Sequence, residues 1–475
     1  MQRSPASASS GLLQSSATWL LFAITLASPA AKCDEPWFTR FENERSVANA
    51  ACQEKRYEAC AEGLRNLLPL VDGRPDIQCV LAAVQARLGD QKAAANSFRV
   101  CARSQLNFGA LMSPTSLQTL RSLPGVAAIE LDGTRRSSPH GEHRVRFKLT
   151  DPDLIAEDIA YDATDGSFLV SSVRQRKIVR VDANGVVSDF VTSARIPTWG
   201  LFALVLDPRR QVLWASTAAV PHSPPYSSAD DGHSAVLRID LRSRTLLGRY
   251  ELSDGKAHAF GDMTLGLDGS VFVADGRGGG VYAARAGHQG LEVIVPPGNL
   301  RSPQTPALSG DGRVLLVPDY TRGIALVRLS NHELTWLQHT PELALFGLDG
   351  FYWRGHTLVG VQNGTTPERI LVMSLSADCT RVTSWHVALA QVSGLGDPTH
   401  GLLRGRAFYF LANSGWDRFD DDGKPSGGGT TAAEIWRLRL PADVLAPAGC
   451  GAHATARGNG TSSAGAASAR SAEIG

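Results

Sequence analysis

Five polar residues stand at corresponding places along the chain: Glu157 in Ala156-Glu157-Asp158-Ile159, Asp262 in Gly261-Asp262-Met263, Gln304 in Pro303-Gln304-Thr305, Asp349 in Gly347-Leu348-Asp349-Gly350, and His400 in Pro398-Thr399-His400-Gly401. Each comes just before or at the start of a short apolar run. Successive positions are roughly 40 to 50 residues apart, the length of a four-stranded propeller blade. Trp199-Gly200 occupies the remaining slot, and the longer interval behind it holds an insertion. If these positions converge on one axis, three carboxylates and an amide oxygen share a small space and repel one another strongly. A divalent cation relieves that repulsion. Donors that are all oxygen suit calcium, which accepts about six to eight of them in loose geometry.

The elements that must position these residues are short strands. Ser167-Phe168-Leu169-Val170-Ser171, Val271-Phe272-Val273-Ala274-Asp275, Val314-Leu315-Leu316-Val317-Pro318 and Ala407-Phe408-Tyr409-Phe410-Leu411 each follow a glycine-containing turn or a similar break. A third strand follows, as in Lys177-Ile178-Val179-Arg180-Val181 or Ala325-Leu326-Val327-Arg328-Leu329. Short strands at regular spacing indicate a sandwich or a propeller, and repetition of the whole unit selects the propeller. The expected fold is therefore mainly β, a six-bladed β-propeller over residues 143–441. The last repeat ends at Glu434-Ile435-Trp436-Arg437-Leu438, one strand short, and the alternating run His143-Arg144-Val145-Arg146-Phe147-Lys148 ahead of the first blade can supply the missing strand. Closure of this kind removes an exposed sheet edge.

Ahead of the propeller the pattern is helical. Tyr57-Glu58-Ala59 with Leu64 matches Gln91-Lys92-Ala93 with Phe98 at a constant offset of 34 residues, which resembles a tetratricopeptide repeat in spacing and residue type. Residues 31–103 are expected to form a small helical domain of this kind, a surface that could take a protein partner, and residues 104–142 a linker with a short helix around Leu117 to Leu123. In antiparallel hairpins Cys79 and Cys101 face each other, and Cys52 and Cys60 flank a turn, so both pairs are expected as disulfides. Cys379 and Cys450 are a third candidate pair. Residues 1–30 read as a signal peptide, with the apolar core Trp19-Leu20-Leu21-Phe22-Ala23-Ile24 and small residues behind it. That core is too short for a membrane span. Lys32 before Cys33 argues against a lipid anchor. Residues 442–475, rich in Ala, Ser and Gly, are expected to be a disordered tail. The protein is thus expected to be exported, to the periplasm or beyond, where seven cysteines are at home. A net charge of +1 gives no global attraction for nucleic acid or an anionic membrane.

The openings Ala156-Glu157-Asp158-Ile159-Ala160-Tyr161-Asp162, Phe168-Leu169-Val170-Ser171-Ser172 and Lys177-Ile178-Val179-Arg180-Val181-Asp182, with Asp349-Gly350, resemble the senescence marker protein (regucalcin) and gluconolactonase family over residues 143–441. The resemblance implies a calcium ion in the channel and hydrolysis of a lactone or related ester. It places the metal ligands on Glu157, Gln304 and Asp349, with Asp262 contacting substrate or metal. Two positions depart from the family, which has asparagine in both: Gln304 is longer by a methylene, and Asp262 adds a negative charge. The implied reaction needs a base for the attacking water, and Asp262 is the first choice, His400 the second. Long loops at residues 218–232 and 414–431 carry Tyr226 and Trp416, expected to cover the substrate. Serine-hydrolase elbow, zinc-protease, phosphate-loop and dinucleotide motifs are absent from the sequence. The alternative is a non-catalytic recognition module whose channel ion is structural.

Overall fold

Residues 36–427 and 431–440 are described in a computed structural model of the chain. The short apolar runs form six antiparallel four-stranded sheets, and the sixth combines His143–Lys148 with Glu434–Arg439, Ala407–Ala412 and Gly401–Arg404. The ring therefore closes with the N-terminal strand of the propeller outermost in the last blade, in antiparallel register with Glu434–Arg439. Second strands such as Ser167–Ser172 and Val314–Pro318 are buried along their whole length, because each blade is packed on both faces. The cores lie between neighbouring blades. Leu169 and Ile178 of the first blade meet Leu213 and Leu237 of the second, and Trp214 of the second meets Val273 of the third.

One local irregularity recurs at the channel. The first strands of blades one, two, three and five lose register with their second strands between Ala156 and Ile159, Leu201 and Leu204, Phe260 and Met263, and Leu348 and Phe351. A bulge of this kind re-aims the residues inside it. Here these are Glu157-Asp158, Phe202-Ala203, Gly261-Asp262 and Asp349-Gly350, so the second blade presents Phe202 rather than Trp199-Gly200. Serines on the second strands tie the bulges together. Ser171 Oγ accepts from Asp158 N at 2.9 Å and donates to Phe202 O, and Ser216 Oγ accepts from Ala203 N at 2.9 Å and donates to Gly261 O.

Two helical hairpins precede the propeller, Trp37–Gln53 with Tyr57–Leu67 and Pro75–Arg87 with Gln91–Arg103. Small residues let the first pair cross closely: a Cβ on Gly63 would lie 2.8 Å from Ala48 Cβ. Both expected disulfides form, Cys52–Cys60 and Cys79–Cys101. Opening the second by replacing Cys79 and Cys101 with serine is expected to cost about 3 kcal/mol, read as a shift of the denaturant unfolding midpoint. The expected linker is a correction. Residues 104–142 carry three helices, Phe108–Leu111, Pro114–Arg121 and Val126–Arg136, and Phe108, Leu117, Leu120 and Val126 are buried against the second hairpin. One serine and one proline start a helix rather than break it: Ser113 caps Pro114–Arg121 through Ser116 N, with Pro114 at the first helical position. The expected signal peptide, Cys33, the partner Cys450 and the tail lie outside the described residues. No described helix is long and apolar enough to cross a membrane.

Candidate metal centre in the propeller channel

Blades one, three, five and six bring Glu157, Asp262, Asp349 and His400 together, all buried. His400 is central. Its Nε2 lies 2.9 Å from Asp262 Oδ1 and 3.7 Å from Asp349 Oδ1, while Nδ1 lies 3.9 Å from Glu157 Oε1. One side-chain atom each from Asp262, Asp349 and His400 fall within 4.8 Å of one another, close enough to share an ion. The backbone carbonyl of Glu157 accepts from His400 Nδ1 at 3.0 Å. A carbonyl can only accept, so the proton sits on Nδ1, the arrangement common in metal-bound histidines. Nε2 is fully buried and, despite the approach of Asp262, has no aligned hydrogen bond. A buried imidazole nitrogen with carboxylate oxygens at 2.9 and 3.7 Å forms a group whose ligand atoms are close enough to hold one ion.

Each carboxylate has its own support. Trp416 Nε1 donates to Glu157 Oε2 at 2.5 Å, Thr305 Oγ1 to Asp262 Oδ2 at 3.0 Å, and Asn363 Nδ2 to Asp349 Oδ2 at 2.7 Å. Burial, with the neighbouring carboxylates adding, pushes Glu157 up to about 8 and Asp349 up to about 6. Burial opposes a charge on His400, yet Asp262 and Asp349 outweigh it and hold the imidazole well above its ordinary value. Without an ion, His400 is thus the cation that balances the ring.

The sign of the resulting pH dependence follows. Glu157, Asp349 and His400 all bind protons more tightly folded than unfolded, so the stability they contribute is present at low pH and is lost as pH rises through their folded values. For Glu157 that window runs from its ordinary value near 4.5 to about 8. The midpoint of thermal unfolding of ion-free protein is expected to fall between pH 5 and pH 8, and a divalent cation added at pH 8 to restore it.

Gln304 lies in the fourth blade's opening, but its Nε2 donates to Ser302 O and Ser302 Oγ, and the next residue, Thr305, is the one that reaches Asp262. Trp416 comes to the ring itself, flanked by His222 and Phe202 with ring centroids 4.9 and 6.3 Å away. Tyr226 is turned to Asp231, donating at 3.2 Å to a carboxylate that is also ion-paired with Arg277. Sequence reasoning missed Asp158, Thr305 and Asn363. Asp158 follows Glu157 directly inside the bulge, accepts from Leu204 N at 2.8 Å, and is pushed up to about 7 by burial. With His400, Tyr161, Tyr352 and Arg404 it lines a channel cavity of about 620 Å³. A bulge shows no pattern in a single strand, so the only signal for Asp158 was its adjacency to Glu157.

No protein-family model matches the chain, and no curated protein matches it. Solved structures similar to it include a gluconolactonase from Xanthomonas campestris, at 17% identity over 60% of this chain and 86% of that one, with a TM-score of 0.41. A calcium-binding protein, regucalcin, from Agrobacterium tumefaciens is similar at 13% identity over 65% of this chain and 97% of that one, with a TM-score of 0.43. Virginiamycin B lyase from Staphylococcus aureus is similar at 12% identity over 63% and 100%, with a TM-score of 0.42. At such identity comparison assigns no side chain of the ring, and the chemistry of the channel rests on its own geometry.

Proposed function

We propose that the protein is an exported, divalent-cation-dependent hydrolase of lactones or related esters. The observation that carries the metal is the buried group of Asp262, Asp349 and His400, whose ligand atoms lie within 4.8 Å of one another. The substrate class comes from the sequence resemblance. Asp349 and His400 would hold the ion, with Asp262 and Glu157 beside them, whereas Gln304, expected as a further donor, has its amide turned to Ser302. Calcium was expected from oxygen donors alone. With an imidazole nitrogen at the centre the set is mixed, which moves preference toward zinc or manganese.

An ion held by these residues would supply Lewis-acid polarisation of the substrate carbonyl. Asp262 takes the proton of the attacking water. Its Oδ2 is fixed by Thr305, and its Oδ1 lies 2.9 Å from His400 Nε2, at the edge of the place an ion would take. His400 keeps its Nδ1 proton on the Glu157 carbonyl throughout. Trp416, on the second long loop, borders the path of entry through its bond to Glu157, whereas Tyr226 on the first is turned to Asp231.

Turnover of a panel of lactones and esters, with calcium, manganese and zinc in turn, tests this. Ion-dependent hydrolysis is expected, falling on the order of a hundredfold or more in Asp262→Ala with the unfolding transition retained. An ion bound tightly with no turnover of any substrate would discard the hydrolase and leave the recognition module.

A further inference from the structure

The helical domain does more than precede the propeller: residues 104–107 grip the part of blade five that carries Asp349. The loop at issue joins Thr357–Gln362 to Arg369–Leu375. Asn107 N donates to Thr366 O at 2.7 Å, within the loop. At its end, the fully buried Arg369 donates through Nη1 to Ser104 O at 2.8 Å and through Nε to Gln362 Oε1 at 2.6 Å. Gln362 in turn donates to Ala344 O and Phe346 O at 2.9 and 2.6 Å. Leu106 is buried against Ala344 and Phe346, just ahead of Gly347-Leu348-Asp349.

The same loop begins with Asn363, the residue that orients Asp349. The ionised Asp349 carboxylate can only accept, so the amide turns Nδ2 to it at 2.7 Å and leaves Oδ1 to accept from Tyr320 Oη at 3.0 Å. The loop also lies directly on the strand opening. A Cβ on Gly364 would fall 2.5 Å from Gly347 Cα and from the Tyr320 ring, and Gly364 N donates to Gly347 O at 3.1 Å.

We propose that the helical domain is a positioning element of the metal centre, bracing the loop from Asn363 to Arg369 so that the Asn363 amide holds Asp349 toward His400. This rests on the metal reading above. The physical need is plain. Asp349 faces Asp262 across a crowded site, and a carboxylate repelled by its neighbour rotates away unless a donor fixes it. Outer hydrogen bonds of this kind commonly change metal affinity about 10- to 100-fold.

Leu106→Ala loosens the grip without touching the ring, and Asn363→Ala removes the proposed link. Dissociation constants for zinc and manganese are measured by calorimetry for the wild-type protein, both single variants and the double variant. Leu106→Ala is expected to weaken binding about tenfold, and Asn363→Ala by that much or more. In the double variant the Leu106→Ala effect should vanish, because both act through one amide. Independent, additive losses overturn the proposal, as does unchanged affinity in Leu106→Ala. The second readout needs no ion: in metal-free protein the Asn363 side-chain amide should exchange slowly with solvent, and Leu106→Ala should speed that exchange. If the wild type binds no ion but Leu106→Ala still frees the amide, the metal reading falls and the bracing stands. If the amide exchanges equally in both, the bracing falls whatever the ion does.

Discussion

Asp349→Ala is expected to remove divalent-ion binding and to lower any ion-dependent turnover on the order of a thousandfold. Asp349 is one of the two carboxylates within reach of His400 Nε2, at 3.7 Å, and has its second oxygen held by Asn363. Removing it leaves Asp262 as the one carboxylate facing Nε2 among the described residues, and strands the Asn363 amide. The apo protein is not expected to suffer equally. Burial holds the Asp349 carboxyl up at about 6, so the folded state gains little from ionising it, and the variant should unfold close to the wild type at acidic pH. Calorimetry with zinc, manganese and calcium, beside a thermal melt at pH 5, separates the two effects. An ion held with unchanged affinity would dismiss the ring as a metal centre.

The second large effect is on closure. Phe147 is the one buried side chain of the strand His143–Lys148, and it packs with Phe168 of the first blade and with Tyr409 and Ile435 of the last. Phe147→Ala is expected to cost about 3 to 5 kcal/mol. Val145→Thr, on an exposed position of the same strand, should stay within about 0.5 kcal/mol. Urea unfolding checks both. The consequence reaches the site, because the seam between first and last blades runs through it. His400 of blade six contacts the Glu157 carbonyl of blade one, and Ala156 N donates to Ser414 O at 3.0 Å across the same joint. A loosened closing strand should therefore weaken ion binding as well as stability, whereas Val145→Thr should change neither.

Much of the propeller was legible because it rests on local chemistry repeated six times. Turn residues end each strand, apolar runs of five to seven residues fill both faces of a blade, and His143–Lys148 shows the alternation of an edge strand. The pairs Cys52–Cys60 and Cys79–Cys101 were legible for the same reason, since hairpin geometry follows from helix length and turn position. Residues 104–142 were misread because serine and proline serve both to break helices and to start them, and burial of Leu117, Leu120 and Val126 against the second hairpin decides between the two.

The channel shows where local chemistry stops. From the chain alone came which blades offer carboxylates and that Glu157, Asp262, Asp349 and His400 share one end of the propeller. Tertiary structure decided that His400 stands at the centre with Nε2 between Asp262 and Asp349, that Thr305 rather than Gln304 bonds to Asp262, and that Asp158 enters through a bulge. It also decided that the turn at residues 104–107, with Ser104 lying 265 residues from Arg369 in sequence, grips the loop holding Asp349. The reason is geometric: strand period fixes which face a side chain takes, but a one-residue bulge, a ring seam and a docked domain set its direction, and each depends on partners distant in sequence.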